Sequence, residues 1–156
     1  MKSKKLQALV NTYEDLSIDL RQVNSPDLEV LLDSWVLSLN QVQELLDSPN
    51  SPVKPSQIAV GFEQGLRETP LILADLPEQI RSSAIKIFYQ VVDRHLPSFF
   101  EKSRTLLECV VSKGVIKTEK EWHLVRLRVD EIEGYSENES ELEILYKLLG
   151  DFEANV

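Results

Sequence analysis

The sequence predicts an all-α protein, a single-domain, irregular bundle of about seven helices over residues 1–156. Apolar residues recur at steps of three and four along most of the chain, which is the spacing of one helix face. The alternating pattern of a half-buried strand is scarce, and only 5 of the 156 residues are glycine. A chain of this length can bury enough surface to fold without disulfides or metals.

The first predicted helix covers 3–22 and the second covers 26–47. Ser25 and Pro26 mark the start of the second helix, because a serine side chain caps free backbone amides and proline fits the first helical position. The apolar stripe of the second helix is broad. We therefore expect this helix to lie at the centre of the bundle or, alternatively, to face a second copy of the chain.

Three prolines among small polar residues at 48–56 predict a Pro-rich loop, since proline cannot continue a helix. The third helix is predicted over 56–67, with a break at Pro70. Gly61 and Gly65 lie on one face of this helix. A glycine costs about 1 kcal/mol in a helix interior, so the pair indicates close approach of another helix or, less often, a ligand against the bare backbone.

Prolines also mark the start of the next two predicted helices. Pro77 begins the fourth helix, which ends near Leu96, and Pro97 begins the fifth, which ends at Gly114. Cys109 lies beside the apolar stripe of the fifth helix, so we expect it to be a buried small residue. It is the only cysteine in the chain, and an internal disulfide is therefore impossible.

A capping box predicts the start of the sixth helix, with Thr118 as N-cap and Glu121 three residues later. One side of this helix is apolar. The other side carries Arg126 and Asp130, four residues apart, and we expect a solvated face on which these charges pair. The seventh helix is predicted to begin near 138–140.

The formal net charge of −9 is unevenly distributed. The segment 80–117 carries seven basic and three acidic residues, whereas 118–156 carries four basic and eleven acidic residues. We interpret the basic segment as a partner for its acidic flanks, with an exposed basic patch as the alternative. An acidic chain repels phosphate, so binding to nucleic acid or to an anionic membrane is disfavoured.

Motifs for catalysis, metal binding or cofactor binding are missing from the sequence. The two histidines, His95 and His123, lie 28 positions apart, and there is no nucleophile motif or glycine-rich phosphate loop. No apolar run approaches the roughly 20 residues that span a bilayer, and the N-terminal run is too short for a signal peptide. A cytoplasmic protein without a cofactor is predicted.

These features favour a non-catalytic, acidic protein-interaction module over an enzyme. Inhibitors, immunity or antitoxin-type proteins and adaptors share this physical character. The expected partner is a basic or mixed-charge protein, and homo-oligomerisation is compatible with such a role. Tryptophan and arginine are favoured at interfaces, and Arg128 is the stronger arginine candidate if it has no internal partner. The predicted partner-binding residues are Trp122, Arg126, Arg128, Glu137, Glu139 and Glu141.

The alternative hypothesis is a helical small-ligand binder or enzyme. Its pocket would lie near Gly61 and Gly65, where bare backbone permits close approach. Trp35, Tyr89 and His95 are the side chains that we expect to line such a pocket.

Overall fold

A computed structural model describes residues 4–156. These residues form seven α-helices, joined by short loops and two 3-10 turns, and include no strand. The prediction of an all-α bundle of about seven helices is therefore confirmed. The helices are α1 (Lys4–Asp19), α2 (Pro26–Asp47), α3 (Pro55–Ala74), α4 (Glu78–His95), α5 (Glu101–Lys113), α6 (Glu119–Ile132) and α7 (Glu139–Ala154).

Local capping chemistry sets several helix ends where they were predicted. The Ser25 hydroxyl accepts a hydrogen bond from the backbone amide of Leu28, and α2 begins at the following proline. Gly114 ends α5 with a φ of 73°, in the left-handed region that glycine tolerates. At α6, the Thr118 hydroxyl accepts from the Glu121 amide at 3.1 Å. The Glu121 carboxylate accepts from Lys117 rather than from Thr118, one residue further back than in a standard capping box.

The predicted break at Pro70 is wrong, because α3 continues through this residue to Ala74. Pro70 has no N–H to donate to the helix, which is normally a cost of about 3 kcal/mol. Here the neighbouring Thr69, Pro70 and Leu73 are all buried against the rest of the bundle. The Thr69 hydroxyl also donates to the Gly65 carbonyl at 2.7 Å. Tertiary packing therefore overrides the local preference.

The expectation that α2 is the central helix is also wrong. Only Leu28 and Leu32 of α2 are buried, and Val30 and Leu37 remain 73% and 59% exposed. The helix packs mainly on α1 and on the 3-10 turn Leu20–Val23. Its stripe is broad enough for a central helix, but its neighbours cover only part of that stripe.

Helix α6 contributes to both hydrophobic clusters of the core. Residues of α1 to α4, with Phe100 and Leu127, form a first hydrophobic cluster, and residues of α5 to α7, with Ile116, form a second. Leu127 of α6 belongs to the first cluster, whereas Val125 and Val129 belong to the second. Two faces of α6 are therefore buried, and this helix joins the two clusters.

Cys109 is exposed, contrary to the prediction. It lies on α5, which packs against α6 and α7 and buries only Val110 completely. Because only a narrow side of α5 contacts the other helices, residues next to that side, such as Cys109, remain exposed to solvent.

Candidate functional site

All seven arginines of the sequence form ion pairs with carboxylates. In the basic segment 80–117, Arg81 pairs with an acid of α6, Arg94 with an acid of α1, and Arg104 with Asp93 and Glu131. The arginines of this segment thus neutralise acids on both flanks, as predicted. Three lysines of the same segment are exposed and form no ion pair within residues 4–156, namely Lys102, Lys113 and Lys117.

Asp130 of α6 is fully buried, so the expectation that it lies on a solvated face is wrong. The Arg81 side chain of α4 donates to its carboxylate at 3.1 Å. Ser82 and Lys86, also on α4, donate to its backbone carbonyl at 2.8 and 3.1 Å. Arg126 lies 3.8 Å from the second carboxylate oxygen, so the predicted pair exists. The error arose because α4 packs over this side of α6.

The protonation of this buried cluster is shifted by its environment. Burial raises the pKa of Asp130, although Arg126 and Arg81 oppose that shift. Burial lowers the pKa of Lys86. Burial also raises the pKa of Glu131, which lies beside Arg128 and Arg104. All three pKa shifts are caused mainly by desolvation where the helices pack together. Ion pairs that are buried for structural reasons shift pKa values in the same way, so these shifts do not by themselves indicate a catalytic site.

The predicted partner-binding residues do not form one exposed patch. Trp122 is half-buried against the second cluster, and its indole N–H donates to Glu153 of α7 at 3.2 Å. Arg128 makes a two-pronged pair with Glu141, at 2.7 and 3.1 Å. The condition that Arg128 lacks an internal partner is therefore not met. Arg126 is likewise engaged with the buried Asp130.

Glu137 and Glu139 differ from the other predicted residues because both are exposed. Neither forms an ion pair within residues 4–156. They lie where the α6–α7 connection leads into α7. The exposed side chains of Tyr135 and Tyr146 belong to the same part of the chain, 43% and 50% accessible respectively.

We define the acidic tyrosine face as the surface formed by the α6–α7 connection and the outward side of α7. On α7, Glu139, Glu143 and Tyr146 follow one another at steps of four and three, which places them on one side of the helix. The Tyr146 hydroxyl donates to Glu133 at 3.4 Å, linking the helix to the connection. The members of the face are Glu133, Tyr135, Glu137, Glu139, Glu143 and Tyr146.

Sequence reasoning identified Glu137 and Glu139 but not the two tyrosines. The spacing of Glu139, Glu143 and Tyr146 is a signal that could have revealed the side of α7 that they share. Tyr135 carries no such signal, because it lies in a connection without helical periodicity.

The three side chains expected to line a pocket near Gly61 and Gly65 each make other contacts in the structure. A Cβ atom on Gly65 would lie 2.5 Å from the Tyr13 hydroxyl, so this glycine does serve close approach of another helix. No atom lies within 4 Å of such a position on Gly61. Trp35 contacts Tyr13 edge-on, whereas Tyr89 lines a groove beside α5 and His95 bonds to Asp15 of α1.

Comparisons of the chain with protein-family profiles, with curated proteins and with solved structures each find no match. Within residues 4–156, no group of three or more His, Cys, Asp or Glu side chains is placed to hold a metal ion. In the same part of the chain, none of the helices has the length and apolar character needed to cross a membrane.

Proposed function

We propose that the protein is a non-catalytic interaction module that binds a basic or mixed-charge protein through the acidic tyrosine face. The single observation that supports this proposal is the contrast in charge pairing. Every arginine is used in an internal ion pair, whereas Glu137, Glu139 and Glu143 are exposed without an ion pair in the described chain. A partner that supplies lysine or arginine would form ion pairs with those carboxylates.

The two kinds of residue on this face have separate roles in the proposed contact. Exposed carboxylates attract a cationic surface over distances of about a Debye length and raise the association rate. Tyr135 and Tyr146 offer rigid rings with a polar tip, a side-chain type that is enriched among residues with large binding contributions. The acids therefore govern encounter with the partner, and the tyrosines govern how long the complex lasts.

The experiment begins with capture of a partner by the tagged full-length protein from its native cells, at low and high salt. Association and dissociation rates with that partner are then measured for two triple variants of equal charge change. The face variant is Glu137→Gln/Glu139→Gln/Glu143→Gln. The control variant is Glu14→Gln/Glu44→Gln/Asp75→Asn, which removes exposed carboxylates from other helices and from the end of α3.

We expect the face variant to associate about tenfold more slowly at low salt, with a smaller difference at high salt. The control should stay within about twofold of the wild type. Tyr146→Ala should mainly raise the dissociation rate. Equal association rates for the two triple variants would show that this face is not the binding surface. The same conclusion would follow if neither salt nor Tyr146→Ala changed the rates of association and dissociation.

A further inference from the structure

Two adjoining grooves lie beside α5, and no residue of the acidic tyrosine face lines either of them. Their volumes are about 430 and 420 Å³. Four residues line both grooves and so connect them, namely Tyr89, Phe100, Ser103 and Leu124. Leu107 and Val111 extend the apolar surface of the first groove, and Leu127 extends that of the second. The pair forms one continuous apolar channel with two chemically different ends.

The first groove has an excess of negative charge. Arg104 and Arg128 line it, and so do Glu108, Glu131 and Glu141. The arginines are paired with carboxylates. Glu108, which is exposed, forms no ion pair within residues 4–156 and is therefore available to an external cation.

The second groove has the opposite bias. Arg67 and Lys120 line it together with one carboxylate, Glu119, which lies 3.8 Å from the His123 ring. In the described chain Lys120 forms no ion pair, so it is available to an external anion. The dipole of helix α6 points in the same direction as this difference in charge. The N-terminal residues of α6 line the second groove, and its C-terminal Glu131 lines the first. A helix dipole is positive at its N-terminus and negative at its C-terminus.

We propose that this channel binds an amphipathic helix of a protein partner in one orientation. The helix places its basic N-terminal residues beside Glu108 and its acidic C-terminal residues beside Lys120. Its own dipole runs in the favourable sense, with the positive end toward the acidic groove. Apolar residues at steps of three and four occupy the surface around Phe100 and Leu124.

A helix fits this channel better than an extended peptide does. Residues 4–156 contain no strand, so no sheet edge is available there for an added strand. The channel is formed by helices, and side chains of one helix pack naturally into the space between others. From Lys120 to Glu131 of α6 the rise is about 16 Å, which corresponds to about three turns of a bound helix.

The test uses a displayed library of 14-residue helical peptides. Leucine or alanine occupies the positions of one helix face, and Lys, Glu and Gln are randomised at all other positions. The library is selected on the immobilised full-length protein, and enriched peptides are measured by fluorescence anisotropy. The variants are Glu108→Lys, Lys120→Glu, the double charge swap, and Leu124→Gln in the apolar surface. Glu44→Lys on α2 is the control for the change in net charge.

Enriched peptides should carry lysine in the N-terminal half and glutamate in the C-terminal half. Each single charge reversal should weaken binding about threefold to tenfold, and Glu44→Lys should leave it within about twofold. The double swap should prefer peptides of reversed charge order. Because Glu108 and Lys120 are exposed and unpaired in the described chain, these variants should keep the wild-type melting temperature, even if Leu124→Gln does not.

Failure to enrich any peptide above the resin background would overturn the proposal. The proposal would also be wrong if the enriched peptides showed no preferred order of charges along the sequence. It would be wrong as well if neither Glu108→Lys nor Lys120→Glu changed the affinity for the peptides. If peptides fail but small apolar amines shift the NMR signals of Tyr89 and Leu124, the channel is a small-molecule site and the helix proposal is wrong. The acidic tyrosine face plays no part in this experiment, so the two proposals can fail separately.

Discussion

The two hydrophobic clusters differ in size and in chemistry. The first contains 18 buried residues, including the aromatic rings of Tyr13, Phe88 and Phe100. The second contains nine buried residues, all aliphatic, with Trp122 and Phe152 only partly buried at its border. A cluster so small excludes less apolar surface from water, and hydrophobic stabilisation scales with that area. We therefore expect the stability of the second cluster to depend on its attachment to the first.

The attachment is partly polar. At the α4–α6 interface, α4 supplies Ile85 and Phe88 to the first cluster, and α6 supplies Leu127. The same two helices also bury the ion pair between Arg81 and Asp130, whose side chains are 16% and 1% exposed. A buried pair of this kind adds little net stability when intact, but it is costly to break. We therefore expect a single substitution to have its largest effect on stability at the junction between the clusters.

The largest expected effect comes from Arg81→Ala, which leaves Asp130 buried without its hydrogen-bonded cation. We expect the free energy of unfolding to fall by about 3–5 kcal/mol. Urea denaturation of single-tryptophan variants checks this, because Trp35 reports on the first cluster and Trp122 on the second. If Trp122 fluorescence changes at lower urea than Trp35 fluorescence, the second cluster has become uncoupled.

A double variant separates the cost of an unpaired charge from the loss of a favourable contact. Arg81→Met/Asp130→Leu removes both charges and keeps apolar volume at the interface, so it should be more stable than Arg81→Ala alone. Arg126→Ala is the comparison, since that side chain lies 3.8 Å from Asp130 and opposes its burial by charge, without the hydrogen bond that Arg81 donates, so it should cost less than Arg81→Ala. A loss below about 1 kcal/mol for Arg81→Ala would show that the pair does not hold the clusters together.

A smaller effect is expected within the first cluster, where Gly65 and Gly61 form a matched pair on α3. Gly65→Ala places a methyl group on the Tyr13 hydroxyl, which donates to the Phe62 carbonyl at 2.8 Å. Displacing that hydroxyl should cost about 1–3 kcal/mol. Gly61→Ala enters open space and should stabilise the protein by up to about 1 kcal/mol.

Thermal and urea unfolding of both alanine variants measure this difference, and Tyr13→Phe/Gly65→Ala should recover part of the loss. Destabilisation of equal size in the two single variants would mean that helix propensity, rather than close packing, governs this part of α3. The result also measures how tightly the first cluster is packed, which is the property in which we expect it to differ from the second.

Features determined by local chemistry were predictable from the sequence. The caps at Ser25 and Thr118 and the stop at Gly114 each depend on a few adjacent residues. The errors at Pro70 and Asp130 have a different origin. Spacing shows which residues share a helix face, but it does not show which helix covers that face.

The candidate sites illustrate the same limit. Arg128 and Glu141 are 13 positions apart in the sequence and lie on different helices, so their pairing depends on how α6 and α7 pack. The channel beside α5 draws residues from five helices and one turn. No local pattern reports such an assembly. Glu137 and Glu139 were found because acidic residues are dense in their own segment.

The smallest expected effect is the pH dependence of the cluster junction. Burial raises the pKa of Asp130 in the folded protein above its ordinary value, so the folded state binds this proton more tightly than the unfolded state. Stability from this group is therefore present below the ordinary carboxyl pKa, about 4, and is lost as pH rises through the raised value. The unfolding free energy of the wild type relative to Asp130→Asn should increase between pH 7 and pH 4. Urea titrations across this range measure it, with Glu143→Gln as the control for net charge. A difference that is constant with pH would mean that Arg81 and Arg126 fully offset the burial of this carboxylate.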